Sequence, residues 1–130
     1  MKIAIATRNF NEVSGHAGQC RQWLLYDLSQ HRSSQLLPAP GLVDLAKDEV
    51  LHVFTDDRPH PLDGIDIAVV ASAGDGFIRH MKLRGCEVLV TGETDPAVAI
   101  TRILAGEALS DPRFDISTSL CKLRDLFSRF

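Results

Sequence analysis

The stretch from Gly64 to Leu104 reads as strand, helix, strand, helix, and that alternation constrains the fold more than any other feature of the chain. Gly64 leads into Ile65-Asp66-Ile67-Ala68-Val69-Val70-Ala71, the most strand-like run in the chain. Gly74-Asp75-Gly76 then opens a helix, Phe77 to Arg84. Gly85 ends it, because a residue without Cβ takes the left-handed conformation of a helix C-terminus at little cost. Cys86 to Thr91 supplies the next short strand. Asp95 is placed to cap a further helix, with Pro96 in its first turn, that runs to about Leu104 with Gly106 past its end. Strands joined in this way lie parallel and are connected by right-handed crossovers.

The first half is built differently. Lys2 to Thr7 alternates Ile3 and Ile5 with Ala4 and Ala6, so both faces are apolar and the strand is expected at the centre of the sheet. Arg8 to Gln19 is polar, with Asn9, Asn11, Gly15 and Gly18 as loop formers, and Arg21 to Leu28 reads as a second strand. A loop of roughly a dozen residues suits a wide hairpin, which makes these two strands antiparallel. Ser33 to Pro38 reads as a short third strand, stopped by Pro38-Ala39-Pro40-Gly41. Leu42, Leu45, Ala46, Val50, Val53 and Phe54 fit one helical stripe. After Asp111-Pro112 the tail ends in an amphipathic helix through Leu120, Leu123, Phe127 and Phe130. The expected architecture is a single α/β domain over residues 1–130, with a core at 1–109 and a tail at 110–130. It holds a mixed five-stranded sheet with helices on its faces, the three-layer layout of a ribonuclease-H-like fold. The first strand is central, the first three strands are antiparallel, and the last two run parallel to the first.

Composition narrows the partners. The chain has 130 residues, 45% of them apolar and 24% charged, an ordinary globular balance. A net charge of −3 gives no basic field for nucleic acid or an anionic membrane. No apolar run approaches the roughly 20 residues that span a bilayer, and the N-terminus is no signal peptide, so a cytoplasmic protein is expected. Cys20, Cys86 and Cys121 lie far apart with no C-x-x-C pair, which argues against a structural zinc site or a disulfide framework.

Two-metal phosphoryl hydrolysis needs carboxylates converging on ions roughly 4 Å apart. A nuclease of this layout would carry an acid on its central first strand, and Lys2 to Thr7 has none. Asp27 and Asp66 sit at strand ends and read as solvated ends or caps. No hydrolase signature appears in recognisable context. Ser72-Ala73-Gly74-Asp75-Gly76 lies at a strand-to-helix turn, where backbone N–H groups and the helix dipole can hold an anion, with Arg79 and Lys82 adding charge. It keeps the first two glycines of G-x-G-x-x-G but has Arg79 in the third place and no evident acidic partner, so the dinucleotide signal is weak. Equally, Gly74 and Gly76 read as residues that only permit a tight turn.

Ser14-Gly15-His16-Ala17-Gly18-Gln19-Cys20 is the most suggestive constellation. A histidine between two glycines is expected on mobile, exposed backbone, and neutral imidazole is the commonest metal ligand, with the Cys20 thiolate as a second. One His and one Cys leave a coordination shell open, which suits a preassembled cluster better than a bare ion. Cys20 alone reads equally well as a small buried residue. His60, between Pro59 and Pro61, reads as exposed, either a further outer ligand or a solvated loop residue. His31, His52 and His80 receive no role.

The N-terminal strand, the loop ending in Val13-Ser14-Gly15-His16-Ala17-Gly18 and the aromatic strand Trp23-Leu24-Leu25-Tyr26-Asp27 together resemble the dinitrogenase iron–molybdenum cofactor biosynthesis family, which includes NifX-like and NafY-like carriers and the C-terminal domain of NifB. Gly64 to Val70, Gly74-Asp75-Gly76 and Leu83-Arg84-Gly85-Cys86-Glu87-Val88 resemble that family's strand, glycine turn and following strand, so the likeness runs from about Met1 to Leu109. The resemblance implies a role in nitrogen fixation without enzymatic activity. The chain would be a carrier or chaperone that binds an iron–sulfur, iron–molybdenum-type cofactor or its precursor transiently, among nitrogenase cofactor-assembly proteins, as a monomer or weak homodimer. The histidine of the family's H-F-G motif falls on His16, with Ala17 in place of the Phe and Cys20 beyond as a possible added ligand. On this reading His16 and Cys20 are the metal ligands, and Gly74, Asp75, Gly76 and Arg79 hold the cofactor's carboxylate or sulfide charge. The rival classes are a regulatory or adaptor module of the same fold that binds a protein and no metal, with the tail as docking element, and an enzyme for a phosphorylated small molecule.

Overall fold

Strand β1 (Lys2–Arg8) takes ladder hydrogen bonds on both sides, and the sheet grows outward from it. The computed structural model of the chain describes residues 1–29 and 37–106. On one side β3 (Gln22–Asp27) pairs antiparallel with β1, from Lys2↔Asp27 to Thr7↔Gln22, and β4 (Gly41–Asp44) pairs antiparallel with β3. On the other side β5 (Ile67–Val70) runs parallel to β1, and β6 (Glu87–Val90) runs parallel to β5. Helix α1 (Asp75–Leu83) provides the crossover from β5 to β6, and α2 (Pro96–Leu104) follows β6. The sheet order is β4-β3-β1-β5-β6, with a two-residue strand β2 (Glu12–Val13) paired antiparallel to the end of β1.

The sheet is therefore six-stranded, where five strands are expected from the sequence. The extra strand follows a tight turn in which Asn9 and Phe10 both have positive φ (55° and 61°) and the Asn11 N–H donates to the Arg8 carbonyl at 3.1 Å. Two consecutive positive φ values match the twist of a short antiparallel hairpin. Phe10 is an unexpected residue there, and two residues are too few to show a period of two.

Alternation along β1 divides the core. Ile3 and Ile5 face Leu24, Tyr26, Ile67, Val69 and Leu89, covered by Ala99, Ile100 and Ile103 of α2. Ala4 and Ala6 face the other way, into Trp23, Ala68, Val70, Leu45, Leu51, Leu62 and Met81 of α1. A helix thus lies against each face, a three-layer α/β arrangement. Small side chains on the second face leave room for the indole of Trp23, fully buried opposite Ala6.

The helical stripe expected over Leu42 to Phe54 does not form. Gly41–Asp44 is a strand because β3 offers it a ladder, Trp23↔Val43 and Leu24↔Leu42, and Leu42 stays 66% exposed on this edge. Leu45, Leu51 and Phe54 still reach the core, but from a segment of turns and irregular backbone. A stripe of apolar residues fits a helix and an anchored strap alike, and the long-range pairing decides between them. Leu37 to Pro40 has no regular structure; the rest of the third strand expected at Ser33 to Pro38, and the C-terminal amphipathic helix, fall outside the described residues.

The helix boundaries follow their caps. In α1, the Gly85 N–H donates to the Lys82 carbonyl at 3.0 Å and the Cys86 N–H to the Met81 carbonyl at 2.9 Å, with Gly85 at φ 79°. That is the paired closure of a Schellman motif. In α2, the Asp95 carboxylate accepts from the Ala97 N–H at 2.9 Å, and Pro96 lacks the N–H that would otherwise need a partner. Replacing Asp95 with Ala should lower stability by about 1 kcal/mol, read as a shift of the urea midpoint with unchanged slope.

Candidate functional site

Beyond Ile5 and Val69 the chain leaving β2 enters between the ends of β1 and β5. The Ser14 N–H donates to the Ala6 carbonyl and the Ser14 carbonyl accepts from the Ala71 N–H, both at 2.8 Å. Two residues on, the His16 N–H donates to the Ser72 hydroxyl at 3.0 Å, and the Ala17 N–H to the Ser72 carbonyl at 3.3 Å. His16 is exposed on a left-handed backbone (φ 52°) that leads into a short 3-10 turn, Ala17–Gln19. The site lies at the carboxyl end of the parallel strands, where open α/β sheets bind their ligands.

The flanking glycines do not loosen this turn, as the sequence suggests, but tighten it. A Cβ on Gly15 would stand 2.5 Å from the Ser72 Oγ, and one on Gly18 would stand 3.3 Å from the His52 Cβ. The Gly18 carbonyl accepts from the His52 N–H at 2.6 Å, so the strap segment rests on the turn. The side chain of His16 is open to solvent while its backbone is fixed on both sides.

Cys20 sits at the other end of the turn, 9% exposed, with Sγ 3.5 Å from the Thr7 carbonyl and 3.4 Å from that of Gln22. Burial pushes its thiol above the ordinary value of 9.0. A thiolate there would face two carbonyl oxygens, so Cys20 can ligate only after losing a proton that its surroundings hold. The Cys20 carbonyl accepts from the Trp23 Nε1–H at 3.1 Å, which ties the turn to the core.

His60 corrects the sequence reading most clearly. It is 5% exposed, with Nε2 2.6 Å from the Glu49 carbonyl and Nδ1 accepting from the Leu62 N–H at 3.0 Å. Both ring nitrogens are engaged and neither is free for a metal. These two bonds hold the ring inward, edge-on to Phe54. His80 pairs with Asp56 at 2.8 Å on the same strap. Asp66 accepts from the Lys2 N–H at 2.9 Å and Asp27 from the Ser29 N–H at 3.0 Å, the capping roles expected of strand-end acids.

Ser72 links the His16 turn to the glycine turn. Gly74 is the N-cap of α1 and supplies no side-chain cap; a Cβ on Gly74 or Gly76 would meet nothing within 4 Å. These glycines leave the helix start open, but Asp75 already places a carboxylate in the positive first turn, which opposes an incoming anion. Arg79 is exposed one turn along. Among the described residues no three His, Cys, Asp or Glu side chains converge as a metal site.

On the β3 side of the turn lies a cleft of about 400 Å³, lined by Arg8, Arg21, Asp44, Ser14 and Cys20 among others. Sequence reasoning missed it. Arg8 and Arg21 flank strand ends some dozen residues apart, and only the β1–β3 register brings them to one opening.

The family model described as dinitrogenase iron-molybdenum cofactor matches residues 1–106. No curated protein matches the chain. Among solved structures, the fold is similar to the crystal structure of PH0822, 21% identical, TM-score 0.63, covering 90% of this chain and all of that one. It is also similar to the apo form of the orange protein from Desulfovibrio gigas, 15% identical, TM-score 0.58, covering 85% and 92%. A third likeness is to TM1290 from Thermotoga, described as a candidate NifB protein of the DUF35 family, 13% identical, TM-score 0.56, covering 84% and 91%. No helix among the described residues is long and apolar enough to cross a membrane.

Two outcomes test this geometry. Gly15→Ala must rotate the Ser72 hydroxyl away from the His16 N–H, so it should cost about 0.5–1.5 kcal/mol in the parent and much less in a Ser72→Ala background, measured as a double-mutant cycle. Because the folded Cys20 thiol titrates above its unfolded counterpart, its contribution to stability is complete below the ordinary value of 9.0 and is lost as pH rises beyond it. Cys20→Ser should change the slope of stability against pH in that alkaline window alone, measured by urea titration at pH 7 to 10.5.

Proposed function

The chain belongs to the dinitrogenase iron–molybdenum cofactor family, its family model covering residues 1–106, and from that premise we propose that it is a non-enzymatic carrier of an iron–sulfur, iron–molybdenum-type cofactor or precursor. It holds this cargo for nitrogenase cofactor-assembly proteins and does no chemistry on it. The observation that carries the reading is His16, an exposed imidazole on a backbone clamped between the ends of β1 and β5.

The donor set suits such a cargo. A bare ion needs several convergent protein ligands, whereas a preassembled cluster brings most of its own and asks the protein for one or two. His16 is the leading ligand. Cys20 joins only by giving up its proton, and so contributes less at neutral pH. Gly74, Asp75, Gly76 and Arg79 lie beyond Ser72 on the β5 side of the turn. There the open helix start and the Arg79 guanidinium favour negative charge, and Asp75 limits it. The ribonuclease-H-like layout agrees with a binding role, since β1 carries no acid for a metal-dependent nuclease. The cytoplasm, where the assembly proteins work, is the compartment this reading requires.

Anaerobic loading with an iron–sulfur cofactor extract, followed by iron analysis and visible absorption, tests it. His16→Ala should leave stability within about 0.5 kcal/mol of the parent, because the side chain is exposed, and should lose most of the retained iron. Cys20→Ala should retain more iron than His16→Ala while costing more stability. A His16→Ala protein that holds as much iron as the parent would remove the reading's principal residue.

A further inference from the structure

We propose that the cleft beside the His16 turn is a receptor for a small polyanion, held by the guanidinium groups of Arg8 and Arg21. As a deepening of the carrier reading, this makes the cleft the place where the cargo's negative charge is matched.

The groups lining the cleft divide into those already committed and those still available. The Thr7 hydroxyl donates to the Gln22 carbonyl at 2.9 Å and accepts from the Phe10 N–H at 3.1 Å, so its one O–H donor is already spent. The Cys20 thiol lies against two carbonyls and is neutral by burial. The Ser14 hydroxyl is turned to the Gly15 carbonyl at 3.2 Å. The Gln22 amide oxygen accepts from the Asn9 N–H at 2.8 Å, so beyond the Gln22 amide nitrogen the uncharged lining offers an anion little. The two arginines differ. Arg21 donates from Nε to the Leu45 carbonyl at 2.7 Å, which anchors one edge of the guanidinium, and among the described residues its two Nη groups have no hydrogen-bond partner. Neither Arg8 nor Arg21 has a carboxylate within ion-pair distance among the described residues, although the chain carries a net charge of −3.

Asp44 lines the same cleft without reaching either arginine. Two cations and one anion leave a net positive opening, and a cleft concentrates such a field more than a flat surface does. The chemistry selected is a compact polyanion with at least one bidentate edge: carboxylate, phosphate or terminal sulfide. Ser14 and Cys20 lie on either side of His16 in sequence and both line the cleft, so an anion bound there abuts the His16 turn.

The test uses the full chain with citrate, inorganic phosphate and tetrathiomolybdate as probes, followed by calorimetry and by amide NMR shifts. Citrate and tetrathiomolybdate should bind, weakening with added salt, with the largest shifts at Thr7, Arg8, Arg21 and Gln22. Arg8→Gln and Arg21→Gln should each weaken binding about tenfold or more, Arg21→Lys should recover part of the loss, and Asp44→Asn should tighten binding about threefold to tenfold. The Asp44 result matters because loss of a merely structural contact would not improve affinity. Binding unchanged in the Arg8→Gln, Arg21→Gln double variant, shifts centred on the start of α1, or no binding of any probe would each overturn the proposal. Iron retention separates this from the carrier reading. Arginine-dependent citrate binding in a parent that retains no iron sustains the cleft and defeats the carrier. Equal iron retention in parent and double variant sustains the carrier and defeats the cleft.

Discussion

The two-sided burial of β1 is the constraint on which the rest depends. A strand with apolar side chains on both faces and ladder partners on both edges has to be central, and every other element takes its place by covering it. Antiparallel β3 closes one edge and parallel β5 the other, so the strand joins two kinds of topology. Its side chains also set the two faces. Isoleucines project toward α2, while Ala4 and Ala6 yield the space that Trp23 fills. The Trp23 indole in turn holds the Cys20 carbonyl, so packing at the middle of the sheet fixes a backbone position at its end. Enlarging Ala6 would thus act on the site as well as on the core.

A change of topology along one strand also explains where the site forms. The chain leaving β1 turns back through β2, and Ser14 then takes hydrogen bonds from both sides at the point where β1 and β5 separate. A residue inserted there uses backbone groups that would otherwise be unpaired at the strand ends. His16, two residues on, consequently emerges at a fixed place with its ring in solvent. The strap carrying His52 supports the turn from one side and Ser72 supports it from the other.

The sequence carried the parallel half of the fold plainly. Asp95-Pro96 and Gly85 mark helix ends by chemistry that acts locally, and the structure places caps at those residues. The segment from Leu42 to Phe54 was not legible, because its apolar spacing fits two conformations and the pairing with β3 that selects one involves residues some twenty positions away. The prolines around His60 could be read, but not the direction in which the ring faces. Exposure of His16 was legible and the reason was not: Gly15 and Gly18 suggest freedom, whereas they mark close approach to Ser72 and His52. The cleft of Arg8 and Arg21 leaves no local trace, since it exists only through the register of β1 and β3.

On the proposed carrier reading the cargo has to be held firmly enough to protect it and loosely enough to release it, and the arrangement around His16 would serve both demands. A clamped backbone spares the ordering cost that a mobile loop would add on binding, so a single imidazole counts for more than it would on a flexible turn. Adding a convergent set of ligands would raise affinity but slow release, because differences in affinity among related sites fall mainly on the dissociation rate. Charge matching by arginines at the rim works differently. It draws an anion in and weakens wherever an acceptor protein offers a competing basic surface. On the proposal made above, an acidic chain with a locally basic opening can thereby receive a polyanion there. Asp44, with no ion pair among the described residues, would lower the affinity of that opening for an anion and so favour release.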